Sequence, residues 1–191
     1  MPAMPELSLT NAPAPGFDDP LGMLHACHRR IERHLGTLVR LQRYLSENGC
    51  DGDARTAARN LLRYFDGPAP NHHADEEASV FPRIARLQTA EVAELLEGLA
   101  RDHEMIGVGW RKLRPLIVAI AAGQRANLPP KIVVDTAAAY EAHIEKEERD
   151  LLPLAARVLD ATAIAEIGNE MAQRRAVDPA APRLAARDGV A

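Results

Sequence analysis

Two short segments, 71 positions apart, constrain this chain more than anything else in it. His72-His73-Ala74-Asp75-Glu76-Glu77 leads to Val80-Phe81-Pro82, and His143-Ile144-Glu145-Lys146-Glu147-Glu148 leads to Leu151-Leu152-Pro153. In this register His72 matches His143, Glu76 matches Glu147 and Pro82 matches Pro153. An α-helix advances about 100° and 1.5 Å per residue, so residues four apart lie about 40° apart round the axis and about 6 Å along it. Each histidine therefore stands above its glutamate on one helix face. His28 and His103, each followed by an isoleucine at +3 (Ile31, Ile106), form a second matched set. Such matching suggests two helix pairs related by an approximate two-fold axis.

The rest of the chain supplies the helices that this duplication needs. Asp18, Asp19 and Pro20 read as a helix start, with acids and a proline at the positive end of the dipole. Leu24, Ile31, Leu35, Leu38, Leu41 and Leu45 then fall at helical spacing, and Asn48-Gly49 stops the run. A second stretch runs from Ala54 to Phe65, breaks at Gly67-Pro68-Ala69-Pro70 and resumes near Asn71 to about Leu87. The third runs from Thr89 to about Ala122 with a bend expected at Pro115, and Gly123 closes it. The fourth runs from Pro130 to about Leu159. Nothing alternates like a strand. The expected fold is all-α: an antiparallel up-down four-helix bundle over residues 20–160. Residues 1–19, with Pro2, Pro5, Pro13 and Pro15, read as a flexible arm. Residues 161–191 read as a short helix, Ala161 to Arg175, and a disordered tail. That helix has two places to pack, the bundle or a second subunit, so a homo-oligomer stays open.

Composition narrows the class. The chain's 191 residues favour one domain. Aromatics make up only 4% while Ala, Leu, Arg and Glu are plentiful, which favours helices. A net charge of −4 gives no reason to expect a nucleic-acid partner. No apolar run approaches the roughly 20 residues that a membrane span needs. The first 20 residues carry prolines and acids where a signal peptide carries basic and then apolar residues. Two cysteines, Cys27 and Cys50, are too few for a disulfide framework. A reduced, cytoplasmic protein is expected.

Two HxxxE pairs facing each other, with one histidine from each remaining helix, assemble six candidate metal ligands: His28, His72, Glu76, His103, His143 and Glu147. A glutamate can bridge two metals or chelate one. Two metals in mixed nitrogen and oxygen surroundings suit iron and, less well, manganese or zinc. Burying two glutamates among imidazoles without a counter-charge would cost several kcal/mol per charge, a cost that cations remove.

His28-Arg29-Arg30-Ile31, His72-(x3)-Glu76 with Phe81-Pro82, Asp102-His103-Glu104-Met105-Ile106, and His143-(x3)-Glu147 with Leu152-Pro153 resemble the bacterial HHE group of hemerythrin-like proteins. The resemblance covers roughly residues 20 to 160. It implies a non-haem, oxo- or hydroxo-bridged di-iron centre, with Glu76 and Glu147 as bridges and the four histidines as terminal ligands. It also implies chemistry with dioxygen, nitric oxide or peroxide. Oxygen-carrying members add a fifth histidine one turn after the third-helix ligand and usually place an aspartate in the last motif. Here those positions hold Gly107 and Glu147, so one iron is expected to be more open, favouring reactivity or sensing over reversible oxygen carriage. The expected ligand is a small diatomic molecule, dioxygen or nitric oxide, in sensing or stress protection. Iron–sulfur cluster repair and iron buffering are the alternatives; repair proteins commonly add a cysteine-containing N-terminal domain, and residues 1–19 have no cysteine.

Other residues are assigned lesser parts. His25, at −3 from His28, reads as a neighbour of the site or a surface residue, and Glu32 as a charge partner of Arg29 or His28. His73 and Glu77 point about 100° away from the ligand face and read as flanking residues. His34 reads as surface, Cys27 and Trp110 as core, and Tyr44, Tyr64 and Tyr140 as core or boundary, one of them within reach of an iron ligand. A ferritin-like site would need Glu-x-x-His, which is missing here, and a zinc hydrolase His-Glu-x-x-His, which Gly107 breaks. A metal-free helical interaction module would make the duplicated motif a coincidence.

Overall fold

The computed structural model of the chain describes residues 15–124 and 127–176. Most of the expected N-terminal arm, and the expected tail from residue 177 onward, lie outside the described residues. Within them the chain is all-α, without a strand. Four rods make the bundle. The first is α1 (Pro20–Asn48). The second joins α2 (Gly52–Phe65), α3 (Pro68–Asp75), a π turn (Glu76–Val80), α4 (Phe81–Ile84) and a 3₁₀ turn (Ala85–Leu87). The third is α5 (Ala90–Ala121), continuous through Pro115. The fourth joins α6 (Pro130–Lys146), a second π turn (Glu147–Leu151) and α7 (Leu152–Val158). A further helix, α8 (Ala161–Arg174), follows.

Local chemistry sets these boundaries. Asp19, Asp51, Thr89 and Asp160 each accept a backbone N–H of the following turn, capping α1, α2, α5 and α8. Gly49 and Gly123, both at φ 73°, end α1 and the turn after α5 in the left-handed region that glycine enters without strain. The second rod departs from the expected boundaries. Only Asp66 and Gly67 interrupt it, and helix resumes at Pro68 rather than Asn71. A proline in the first turn of a helix gives up an N–H that has no partner there anyway, so Pro68 and Pro70 start a helix instead of blocking one.

The rods form a closed ring of neighbours: α1 packs on α2 and α6, and α5 packs on the same two. Along α1 and α5 the order of buried residues runs from one apolar cluster (Leu24; Val92, Leu99), through a histidine, to another (Ile31 to Leu45; Ile106 to Ile120). Along the second and fourth rods the order is reversed. That reversal is the antiparallel arrangement, and it leaves a polar layer between two apolar clusters. Each large aliphatic side chain fully buried there contributes about 1.5–3 kcal/mol, enough in sum to hold a costly polar layer in place.

α8 packs on its own bundle, against α1, α3 and the first π turn, and Ile167 and Met171 complete one apolar cluster. Its Gly168 meets Phe17 so closely that an added Cβ would lie 1.8 Å from the Phe17 carbonyl oxygen. Gly168→Ala should therefore destabilise the fold by about 1–3 kcal/mol. Thermal unfolding would show this as a melting temperature lower by several degrees; an unchanged value would mean that Phe17 does not hold this position.

Candidate metal centre

The two π turns occur at the same place in each half of the motif. Pro82 and Pro153 have no N–H, and in a regular helix each ring would press on the carbonyl four residues back. Widening the turn by one residue avoids this: the Phe81 N–H reaches the Glu76 carbonyl and the Leu152 N–H reaches the Glu147 carbonyl. Each candidate glutamate thus sits at the first position of a widened turn, a feature whose sequence signal is the proline six residues after it.

All six residues singled out by spacing meet in the polar layer between the apolar clusters. Glu76 and Glu147 are 0% exposed, and His28, His72, His103 and His143 are buried with them. Two sets of potential ligand atoms, each within 4.8 Å of one another, emerge: His28, His72, Glu76 and Glu147, and His103, His143, Glu76 and Glu147. The two sets share both carboxylates. His28 Nε2 lies 3.0 Å from Glu147 Oε2, His72 Nε2 3.5 Å from Glu76 Oε1, His103 Nε2 3.4 Å from Glu76 Oε2 and His143 Nε2 3.2 Å from Glu147 Oε1. His103 Nε2 and His143 Nε2 are 3.0 Å apart, two ring nitrogens aimed at one point.

This layer lacks partners of the ordinary kind. All four carboxylate oxygens of Glu76 and Glu147, and Nε2 of His28 and His72, are buried without a hydrogen bond. Leaving a buried polar group unsatisfied costs about 1–3 kcal/mol, more for a charged one. Cations coordinated by these atoms would meet the requirement, so the donor set fits one or two metal ions bound by nitrogen and oxygen.

The protonation balance has the same cause. Burial is the strongest influence on Glu76, Glu147, His28, His72 and His103. At His28 and His103 it is outweighed by the carboxylates around them, which lift the imidazoles to about 9 and about 10. Burial and the charge of Glu147 raise the Glu76 carboxyl. Contacts with His103, His143 and His28 hold Glu147 well below the usual range despite its burial. His72 follows burial and falls to about 3. An anionic pocket draws positive charge inward as protons; metal ions would place it at the same atoms.

Residues outside the six orient the rings. His28 Nδ1 lies 2.5 Å from Glu148 Oε1, and His103 Nδ1 lies 2.6 Å from Glu77 Oε1. With the proton on Nδ1 donated outward, each ring turns the Nε2 lone pair into the pocket. The glutamate after each candidate ligand thus braces a histidine on a neighbouring rod. Spacing alone makes Glu77 a flanking residue; the signal for its role is the Glu-Glu doublet repeated in both motifs. His25 Nδ1 joins Glu148 Oε2 at 2.7 Å from the surface side. Asp102 Oδ2 lies 3.7 Å from His143 Nδ1 and receives Lys146 Nζ at 2.5 Å.

His73 lies nearer the pocket than its angle on the helix suggests. Its ring stacks on His103 at 4.0 Å, and one of its nitrogens groups with those of His103 and His143. In a four-rod bundle a side chain turned about 100° from the axis still faces a neighbouring rod, here α5. Burial pushes its imidazole down to about 2. His34 is half-buried rather than a surface residue, stacked on Tyr64 at 3.9 Å. Glu32 is exposed, Cys27 is buried and Trp110 packs on Phe65 at the margin of the core. Tyr44 donates to Asp51, and the Tyr64 hydroxyl lies 3.5 Å from the Cys27 carbonyl oxygen. Tyr140 is the tyrosine whose ring lies beside the pocket, 6.0 Å from His73.

Chelator-treated protein should gain thermal stability when a divalent transition-metal ion is restored. The gain at 1,000 times the dissociation constant is about 4 kcal/mol. A melting temperature indifferent to every such ion would mean that the buried carboxylates do not face a cation.

The model of the Hemerythrin HHE cation binding domain matches residues 19–155. The chain is also 28% identical over 161 residues, 84% of its own length and 92% of the other's, to a Haemophilus influenzae protein described only as uncharacterized. With the two duplicated motifs converging on one buried layer of carboxylates and imidazoles, that match makes the chain a member of the hemerythrin HHE cation-binding family.

Proposed function

We propose that the protein holds two iron ions and binds or reacts with dioxygen, nitric oxide or peroxide, in sensing or stress protection. The observation that carries this reading is the pair of overlapping ligand sets that share Glu76 and Glu147. A carboxylate common to two sets is in the position of a bridge. Glu76 and Glu147 would then be the bridging ligands, and His28, His72, His103 and His143 the terminal ones. Four imidazoles and two carboxylates suit iron better than a hard oxygen-seeking cation or a thiolate-seeking one. Bound iron would supply a redox-active centre with coordination positions that these six residues do not fill.

The chain's own residues would admit and orient a small ligand. A cavity of about 250 Å³ opens at Gly107, Trp110 and Arg111 and reaches His73, Ile106 and Tyr140. His73 stands between it and His103 as a neutral ring, and Arg111 is the charged residue of its lining. Gly107 adds no side chain to that wall. A reducing, cytoplasmic setting belongs to the same reading, supported by the free thiols of Cys27 and Cys50. Among the described residues no helix is long and apolar enough to cross a membrane.

Protein purified without chelator should contain about two irons per chain and show charge-transfer absorption that changes on adding azide. Absence of metal, with no uptake of ferrous iron under anaerobic conditions, would remove the di-iron reading. Within the set, His72→Ala and Glu147→Ala should each lose at least one iron, since a missing ligand is not replaced in a dry pocket. His73→Ala should keep the full metal content while its azide response changes. Full iron in Glu147→Ala would take that residue off the ligand set.

A further inference from the structure

The two halves of the site are not supported alike. Glu76 is preceded by Asp75 and followed three residues later by Ser79, both 0% exposed. At the matching places around Glu147 stand Lys146 and Asp150. Lys146 reaches Asp102 on α5, and Asp150 pairs with its neighbour Arg149 at the surface. Asp75 instead receives the guanidinium groups of Arg174 and Arg175 at the end of α8, with Arg175 Nη2 2.6 Å from Asp75 Oδ2. Arg174 Nη2 also donates to Ser79 Oγ at 3.0 Å. A second clamp lies further along: Arg83 Nη1 donates to the Ser79 carbonyl at 2.7 Å, while Arg83 Nη2 pairs with Glu170 and Glu166 on α8.

The first π turn is therefore gripped on both faces. Glu76 points into the metal pocket, while Asp75 and Ser79 are held by α8 on the outer side. A π turn departs from the regular helical ladder, and the contacts from α8 bear on the residues either side of Glu76 in it. The helix that provides them lies beyond residues 19–155, the part matched to the family. Buried ion pairs of this kind are poor sources of net stability and are better at fixing one arrangement.

We propose that Asp75, Ser79, Arg174 and Arg175 form a positioning device for Glu76, so that metal binding and the docking of α8 stabilise each other. This rests on the reading of Glu76 as a metal ligand. Coupling between two sites is reciprocal: whatever α8 adds to metal retention, metal returns to the docking of α8. The device acts on one half of the pseudo-symmetric site; at the other half the matching Lys146 reaches Asp102 on α5 instead.

Hydrogen exchange on the full chain, with and without ferrous iron, tests the coupling directly. Iron should slow exchange about tenfold in residues 75–80 and, with them, in the last turn of α8, a factor typical of coupled sites. Slowing around His72, Glu76, His143 and Glu147 with α8 unchanged would overturn the coupling and leave the metal reading standing. No iron uptake at all would overturn both. As the second arm, Arg174→Gln with Arg175→Gln should release iron to a chelator about tenfold faster than the parent, and Arg174→Lys with Arg175→Lys should recover part of the difference. Arg149→Gln, at the exposed face of the other π turn, should leave the release rate within about twofold. A double variant that lowers the melting temperature of the metal-free protein but releases iron at the parent rate shows a purely structural clamp and overturns the proposal. Should the double variant fail to fold, the exchange measurement on the parent chain decides.

Discussion

Two carboxylates with no exposure, Glu76 and Glu147, sit at the centre of this bundle, and the rest of the structure is arranged around meeting their need for positive charge. Four imidazoles surround them, two lifted above their ordinary range by the negative field. Water is kept away by apolar clusters on both sides, with Leu24 and Leu99 in one and Ile31 and Ile106 in the other. The same exclusion of water that makes an unpaired charge expensive makes a coordinated cation hold firmly. A polar layer of this composition is thus poor as a source of stability by itself and effective as a receptor for metal.

Geometry at the layer is controlled one step away from the atoms that face it. Glu77 and Glu148 lie on the outer side of their rods, yet they fix the rings of His103 and His28 through Nδ1. Each motif thus offers its first glutamate to the pocket and its second to a histidine of a neighbouring rod. This cross-bracing ties the rods together through the site and sets which ring nitrogen faces inward. The π turns make room for it, because a proline six residues on would otherwise force its ring against the backbone of the turn that carries these side chains.

The approximate two-fold relation does not extend to the surroundings of the layer. On one side of the layer, His73 and Tyr140 border a cavity that opens at Gly107. On another, α8 covers the first π turn and buries Asp75. Duplicated ligand motifs can place two similar metal positions, whereas access and support must be unequal for a ligand to arrive from one direction only.

Much of this was legible in the residues themselves. Four rods, their starts near Asp19 and Thr89 and their stops at Gly49 and Gly123 follow from periodicity and from backbone preferences that act over a few residues. The convergence of six particular side chains follows from spacing, since a helix converts a separation of four into a shared face. What spacing alone left open concerns relations between rods. Helical angle places Glu77 and His73 on a flank because it says nothing of which neighbouring rod stands opposite. Pro68 signals a break and a start alike, because a proline stops one helix and starts another by the same lack of an N–H, and only the surrounding chain decides which. The position of α8 was undecided for a similar reason: an amphipathic helix will cover any matching apolar face, and it was the bundle that presented one beside Val80, Ile84 and Leu24. Sequence by itself determined the helices and the chemistry of the pocket, because both are written in local periods. Tertiary structure alone decided the bracing of the histidines, the covered side and the open side, because these depend on which surfaces meet.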